Sequence, residues 1–368
     1  MIAFEPTEEQ EMIRDTVREF AVAELREAER AADEAEATPD ALLDKTWELG
    51  LVPGGIPEAL GGGGFERSPI TSVLVLEELA YGSASLAVAA MAPSLFVNPL
   101  IDFGTEAQQA EYLPLFTGSA YHAASLALHE ESFGFDPANL RTVAVAKGEG
   151  YALSGRKRFI PMGERASHFL VVARSGAREG VADLEAFVVP ADAPGVTIER
   201  ETTLGLRAVP LASLTLDRVE VPGRARLGGE RGIDGRRLLA QTRLASATLS
   251  VGLSRAIFDT ALPYAKERVA FGEPIARKQT IAFMLADMRI ELDAMRHLVW
   301  KAASQLEQSS DATRATALAQ CYVRRETMKI ADDGLQIFGG HGYIREYPLE
   351  MWYRNARTVT VLDALAAA

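Results

Sequence analysis

The chain has 368 residues, 48% of them hydrophobic and 24% charged, with a formal net charge of -13, which is enough apolar material for two or three folded domains. The acidic balance argues against nucleic acid, which is bound through a basic face, and against anionic membrane surfaces; no unbroken apolar run reaches the roughly 18–20 residues of a membrane span. The lone cysteine, Cys321, excludes an intrachain disulfide, fits a reducing cytoplasm, and by residue type is expected as a small buried apolar group.

The opening Met1-Ile2-Ala3-Phe4-Glu5 does not read as a signal peptide. Residues 7–36 are predicted to be helical. Thr7 and Gln10 form a capping-box pair, and Ile13, Val17, Phe20, Ala21 and Leu25 recur at helical spacing. A second helix is predicted over 40–49, ending at Gly50. Gly61-Gly62-Gly63-Gly64 lacks the Lys and Ser/Thr of a phosphate-binding loop and reads as a turn. Helices follow over 68–81 and 84–101, and Thr105 with Gln108 repeats the capping box.

The texture changes near Ala120. Alternating, β-branched runs over 141–146, 169–173, 186–190 and 214–222 are separated by Gly, Asp and Pro turns and predict an antiparallel β domain. Helical period returns near Arg236, with Pro263 expected to kink the long helix that carries it. The class is therefore α+β with separate domains: helical over 1–119, a β-sandwich or barrel over 120–227, and a helical bundle over 228–368. No set of metal ligands is apparent.

Motifs in order along the chain include Trp47-Glu48-Leu49-Gly50-Leu51, Phe103-Gly104-Thr105-Glu106, Leu204-Gly205-Leu206-Arg207, and Arg268-Val269-Ala270-Phe271-Gly272-Glu273-Pro274-Ile275 with Gln279. They end in Gln336-Ile337-Phe338-Gly339-Gly340-His341-Gly342-Tyr343. Together they resemble the acyl-CoA dehydrogenases, flavin enzymes that desaturate acyl-CoA thioesters. The resemblance implies that Arg268, Phe271, Gln279, Gln336, Gly339 and Gly340 contact the ADP half of an FAD held by a neighbouring subunit. The residue types suit that task. Arg268 offers a charged donor fork to a pyrophosphate, and the two glycines let the backbone approach the dinucleotide closely.

Other positions depart from the family pattern. Where the family has Thr-Glu-Pro-Gly-Ala-Gly-Ser-Asp around the flavin, this chain has His129-Glu130-Glu131-Ser132-Phe133-Gly134-Phe135-Asp136. The threonine is replaced by His129 and the serine by Phe135, and Glu131 adds a carboxylate expected to repel a pyrophosphate. The second flavin-contact strand reads Phe159-Ile160-Pro161, and Pro161 supplies neither a hydroxyl nor an N–H.

The catalytic glutamate of the family corresponds to Asp363, a weak candidate because its reach is shorter by about 1.5 Å. The alternative glutamate position is empty, in Gln241-Thr242-Arg243. Arg243 is the one residue there that could touch substrate. The resemblance then implies a non-catalytic subunit of a heteromeric α2β2 dehydrogenase, inactive alone. It would lend its half-site to a homologous catalytic chain and share that chain's FAD. The substrate would be an acyl-CoA, a bulky or steroid side-chain thioester among the options, and the electron acceptor an electron-transfer flavoprotein. Two alternatives stand beside this: a self-sufficient dehydrogenase using Asp363 or an unrecognised base, and a flavin-free scaffold of the same fold.

Overall fold

The computed structural model describes residues 5–132, 134–308 and 310–368. Six α-helices come first: α1 (Glu8–Phe20), α2 (Glu27–Ala35), α3 (Asp40–Glu48), α4 (Pro69–Met91), α5 (Ser94–Phe103) and α6 (Glu106–Tyr112). Both capping boxes form. The Thr7 hydroxyl accepts from the Gln10 N–H at 3.2 Å while the Gln10 carbonyl accepts from the Thr7 N–H at 3.0 Å, and Thr105 and Gln108 do the same. A π-helical turn over Ala21–Arg26 joins α1 to α2, so the stretch expected as one helix carries a wide turn in its middle.

That wide turn meets a break in α4. Ser83 leaves helical torsions (φ -159, ψ 119). At the adjacent Gly82 any Cβ would sit 2.4 Å from the Ala21 carbonyl oxygen, so only glycine allows the two helices to touch there. The Ser83 hydroxyl, freed from the helix ladder, donates to the buried Glu29 at 2.9 Å. By length and apolarity α4 could cross a membrane, yet 94% of that window is buried inside the fold.

Seven strands follow: β1 (Ala124–Ala127), β2 (Val143–Lys147), β3 (Gly150–Pro161), β4 (His168–Arg174), β5 (Leu184–Pro190), β6 (Val196–Arg200) and β7 (Leu211–Pro222). They form one sheet in the order β1-β4-β2-β3-β7-β6, with β5 on β4. Pairing is mainly antiparallel, but β1 lies parallel to β4, and the single pair Val143–Arg174 joins β2 to β4 in the same sense. Leu153, Phe169, Val171, Phe187, Val189 and Leu214 fill a core of its own on this sheet.

The last block contains α7 (Gly235–Glu267), the short hairpin β8 (Val269–Ala270) and β9 (Glu273–Pro274), then α8 (Gln279–Glu307), α9 (Thr313–Phe338) and α10 (Leu349–Val359). α7 continues through Pro263 to Glu267. The order helical block, β block, helical bundle is the architecture expected from the sequence. α4, α7 and α8 are also pinned by charge. The buried Arg255 reaches Glu77 at 2.6 Å and Glu78 at 2.8 Å, and Arg296 reaches Glu77 at 3.1 Å.

Candidate functional site

The first cluster sits where the segment after β1 meets β3. Its backbone is set by ladder bonds: the Arg158 N–H donates to the His129 carbonyl at 2.9 Å, and Glu130 bridges to Lys157. The imidazole of His129 is 8% exposed. Phe135 stacks on its face with centroids 4.3 Å apart, and Phe159 meets it edge-on at 5.3 Å. Among the described residues no hydrogen-bond partner reaches Nδ1, which is itself buried. Burial lowers the imidazole pKa from its usual 6.5, while Asp363 and the Glu130 backbone act in the opposite sense.

Phe159 and Met162, on either side of Ile160-Pro161, both have positive φ (54° and 55°). A register shift against β7 between Lys157 and Ile160 accounts for the first, since a bulge re-aims the strand there. Beneath this turn Glu130 is fully engaged. It accepts from the backbone N–H groups of Arg141 and Thr142 at 2.6 and 2.9 Å and from the Lys157 ammonium at 2.8 Å. Burial pulls Lys157 down to about 8 against the attraction of Glu130. Glu130 and Lys157 thus form a structural pair without spare capacity for a ligand.

Glu131 does not stand as an unbalanced charge. Arg156 and Arg158 each approach its carboxylate at 3.3 Å, so the repulsion expected from the sequence is screened by groups on the neighbouring strand. Phe133, from the same motif, lies outside the described residues.

Asp363 follows α10. Its Oδ1 accepts from Gln320 Nε2 and from Arg324, each at 2.7 Å, and Arg324 also donates to the Leu362 carbonyl at 3.2 Å. A cavity of about 540 Å³ lies beside these partners, lined by Gln320, Cys321, Arg324, Arg325, Arg357 and Thr360 among others. Cys321 is exposed, which corrects its expected burial: it lies on the face of α9 that also carries Arg324 and Arg325. At the other glutamate position Gln241 donates to Asp102 at 2.6 Å, and Asp102 is held by Arg67 at 2.8 Å. Arg243 is half-buried on α7 and makes no ion pair among the described residues.

The second cluster is built at the ends of α7 and α9. Tyr264 and Phe338 stack with centroids 3.8 Å apart and planes 12° apart, and the Tyr264 hydroxyl lies 2.8 Å from His341 Nδ1. These contacts bring the hairpin after α7 beside the glycine turn after α9. On this face Arg268, Gln279, Gln336 and Gly340 are exposed. Arg268 makes no ion pair among the described residues. Phe271 is 95% exposed with φ 54°. Gly339 has φ 56 and ψ -130, a region open essentially to glycine alone, and a Cβ at Gly339 or Gly340 would meet nothing within 4 Å. The face looks outward, and its exposed Arg268, Gln279 and Gln336 with the open Gly339 and Gly340 could cradle the ADP end of a dinucleotide. At the first cluster Phe135 and Phe159 offer apolar ring surface for a flavin, without the hydroxyl donors that Pro161 and Phe135 replace.

The Asp363 charge opposes the effect of burial on the His129 imidazole, although most of the sequence separates the two residues. The motif reading registered His129 only as a lost threonine. A titratable residue type at a cofactor-contact position was the available signal.

Sequence models of the acyl-CoA dehydrogenase N-terminal, middle and C-terminal domains match residues 7–119, 125–219 and 235–363. The chain is 34% identical over 363 residues to an acyl-CoA dehydrogenase of Bacillus subtilis, covering 97% of this chain and 94% of the relative. It is 35% identical over 363 residues to the CarC subunit of a caffeyl-CoA reductase-Etf complex of Acetobacterium woodii, covering 97% and 95%. The solved butyryl-CoA dehydrogenase of Megasphaera elsdenii matches with a TM-score of 0.88 at 29% identity, covering 99% of this chain and 96% of that one. These similarities overturn the expectation that the chain alone is inactive, because whole-length relatives are themselves named as dehydrogenases. That expectation rested on the replaced flavin-contact residues Phe135 and Pro161, the added charge of Glu131, and the two glutamate positions held by Asp363 and Gln241.

Proposed function

The chain belongs to the acyl-CoA dehydrogenase family, and from that premise we propose that it is a self-sufficient, flavin-dependent oxidoreductase that desaturates the acyl group of a CoA thioester. The observation that carries this reading is the pairing of two complementary sites on one chain. The exposed residues at the ends of α7 and α9 suit the ADP end of FAD, and His129, Phe135 and Phe159 form an aromatic cluster on β3 and the segment after β1 that suits the flavin ring. FAD, when bound, supplies the acceptor for the hydride leaving the substrate β-carbon.

Arg268 would hold the pyrophosphate through a charged, multi-donor contact. Gln336 would donate to and accept from the adenosine end, and Gly339 with Gly340 would admit the backbone to close approach. Because the cradle faces outward, the copy it serves is a neighbour's. A homo-oligomer in which each chain lends its cradle to the next completes every site.

An electron-transfer flavoprotein fits as the acceptor, by analogy with the relative named as part of an Etf complex. The acyl group is read only as an acyl-CoA thioester. A second reading, a mixed assembly with a homologous chain whose FAD this cradle supports, is favoured by Pro161, which brings no N–H to the flavin pocket.

The test is expression of the chain alone, followed by native mass spectrometry, flavin quantitation and a dehydrogenation assay over an acyl-CoA chain-length series. One FAD per chain in a homo-oligomer with turnover supports the main reading. Flavin that appears only on adding a homologous chain supports the second. Absence of both flavin and turnover under every combination rejects the two.

A further inference from the structure

In a chain of net charge -13, three arginines line a single recess. The cavity of about 540 Å³ between α9 and the end of α10 carries Arg324 and Arg325 from the first helix and Arg357 from the second. Its volume falls within the range of small-molecule sites, about 300–1,000 Å³. The three guanidiniums are unequally engaged. Arg324 donates through one terminal nitrogen to Asp363 and to the Leu362 carbonyl, while its Nε is buried without a hydrogen-bond partner among the described residues. Arg325 gives its Nε to Glu326 and lies over the Tyr322 ring at 5.2 Å, and its two terminal nitrogens make no bond among the described residues. The Arg357 side chain is exposed and makes no ion pair or hydrogen bond among them. A buried N–H without an acceptor is uncommon in folded proteins, and an anion seated on Arg324 would supply one.

We propose that this recess binds an organic phosphate. Arg325 and Arg357 hold the phosphoryl group with Arg324 completing the set, and the body of the ligand lies on Ala317, Met328 and Val361, which also line the cavity. Asp363 and Glu326 balance Arg324 and Arg325 one for one, so Arg357 carries the charge left over and the unengaged N–H groups of all three supply donors. A carboxylate is served by one guanidinium fork. A phosphoryl group has three oxygens spread in space and can accept from forks that come from two helices. The apolar part of the lining and the volume exceed what a bare inorganic ion would use.

The recess is separate from the face at the ends of α7 and α9. Arg325 and Gln336 lie on the same helix, and eleven residues at 1.5 Å each put them about 16 Å apart along its axis. Neither Arg268 nor Gln336 lines the recess. Cys321 does line it, and this exposed thiol is the only cysteine in the chain, so a thiol reagent reads the occupancy of this one place.

The experiment labels the purified full-length protein with N-ethylmaleimide and follows Cys321 by intact-mass spectrometry, in the presence of ADP, acetyl-CoA or inorganic phosphate, with ionic strength held constant by potassium chloride. Saturating organic phosphate should slow labelling severalfold. The concentration giving half the effect should rise about tenfold or more in Arg357→Ala and in Arg325→Ala, the scale of a lost charge-assisted contact, and should stay within about twofold of wild type in Arg268→Ala. Both recess arginines are exposed, and the wild-type comparison among the three compounds stands without any variant. Protection by ADP marks a free nucleotide as a source of the phosphate, and protection by acetyl-CoA alone marks the coenzyme; either supports the inference. Labelling unchanged by all three compounds overturns it. So does inorganic phosphate acting at the same concentration as ADP, which marks a site for an adventitious ion only, and so does protection that survives Arg357→Ala but is lost in Arg268→Ala. No arm depends on turnover, so the dehydrogenase reading stands or falls separately.

Discussion

Trp352 donates its indole N–H to the buried carboxylate of Glu29 at 2.8 Å, tying α10 to α2. Burial raises the Glu29 pKa from 4.5 to about 7 against the pull of Trp352, Ser83 and Arg26, with Asp33 adding to the rise. The native state therefore binds more protons than the unfolded chain between about pH 4.5 and 7, and stability falls as pH rises through that window. At pH 8 the ionised carboxylate costs about 3 kcal/mol relative to pH 4.5. Glu29→Gln should flatten this part of the profile, measured by urea unfolding at a series of pH values. An unchanged slope would mean that Glu29 is ionised at no penalty.

Arg255 is the only cation within bonding distance of Glu78 at the α4–α7 contact apart from the more distant Arg18 at 4.0 Å, among the described residues. Arg255→Met leaves Glu78 buried and nearly unpaired, which should destabilise the fold by about 3–5 kcal/mol. Combining it with Glu78→Gln should recover a large part of that loss in the same denaturation assay. Equal destabilisation of the single and double variants would show that packing, and not charge, is what Arg255 provides.

Arg268→Ala should weaken FAD binding without disturbing the fold. A charge-assisted contact of about 1.5–3 kcal/mol corresponds to roughly a ten- to hundredfold rise in Kd. Flavin fluorescence titration of the apoprotein reads this directly. A Kd within twofold of wild type removes Arg268 from the cradle.

Tyr264→Leu removes the stack on Phe338 and the bond to His341. The stack is worth about 0.5–1.5 kcal/mol beyond area burial, so a drop in Tm of a few degrees is expected. FAD affinity should also fall, because the hairpin after α7 and the glycine turn after α9 lose their common anchor. Thermal melting with and without added FAD separates the two effects: if the shift produced by FAD is the same in wild type and variant, the stack does not organise the cradle.

Legibility in the sequence followed the range of the interactions. The Thr7 and Thr105 caps are set by residues three positions away and were readable outright. The strands with clean alternation were found, whereas β3 was read only at its end, Phe159-Ile160-Pro161, and through the family resemblance. Its run Gly155-Arg156-Lys157-Arg158 looks solvated, because two bulges break its register and the buried Lys157 is matched by Glu130 from another segment. Glu131 was read as a repulsive charge for the same reason, since Arg156 and Arg158 reach it only after β3 folds back. The π-turn at Ala21–Arg26 has no signature beyond the glycine it presses against, Gly82, on a different helix. Arg268, Phe271, Gln279, Gln336, Gly339 and Gly340 sit in short motif stretches, which is why the sequence singled them out. The packing of Phe135 and Phe159 around His129 depends on β3 folding back against the segment after β1, and no local pattern encodes it.

Phe271 offers a different kind of consequence. An aromatic ring held in water on a left-handed backbone turn is an unfavourable arrangement for an isolated chain. When such a ring closes over a dinucleotide bound by another copy, cofactor binding and association become a single linked equilibrium. Whatever factor the neighbouring chain adds to FAD affinity, FAD adds to the affinity between chains. Dilution should then release flavin, and flavin removal should loosen the assembly, even though neither residue set touches the reacting carbon atoms.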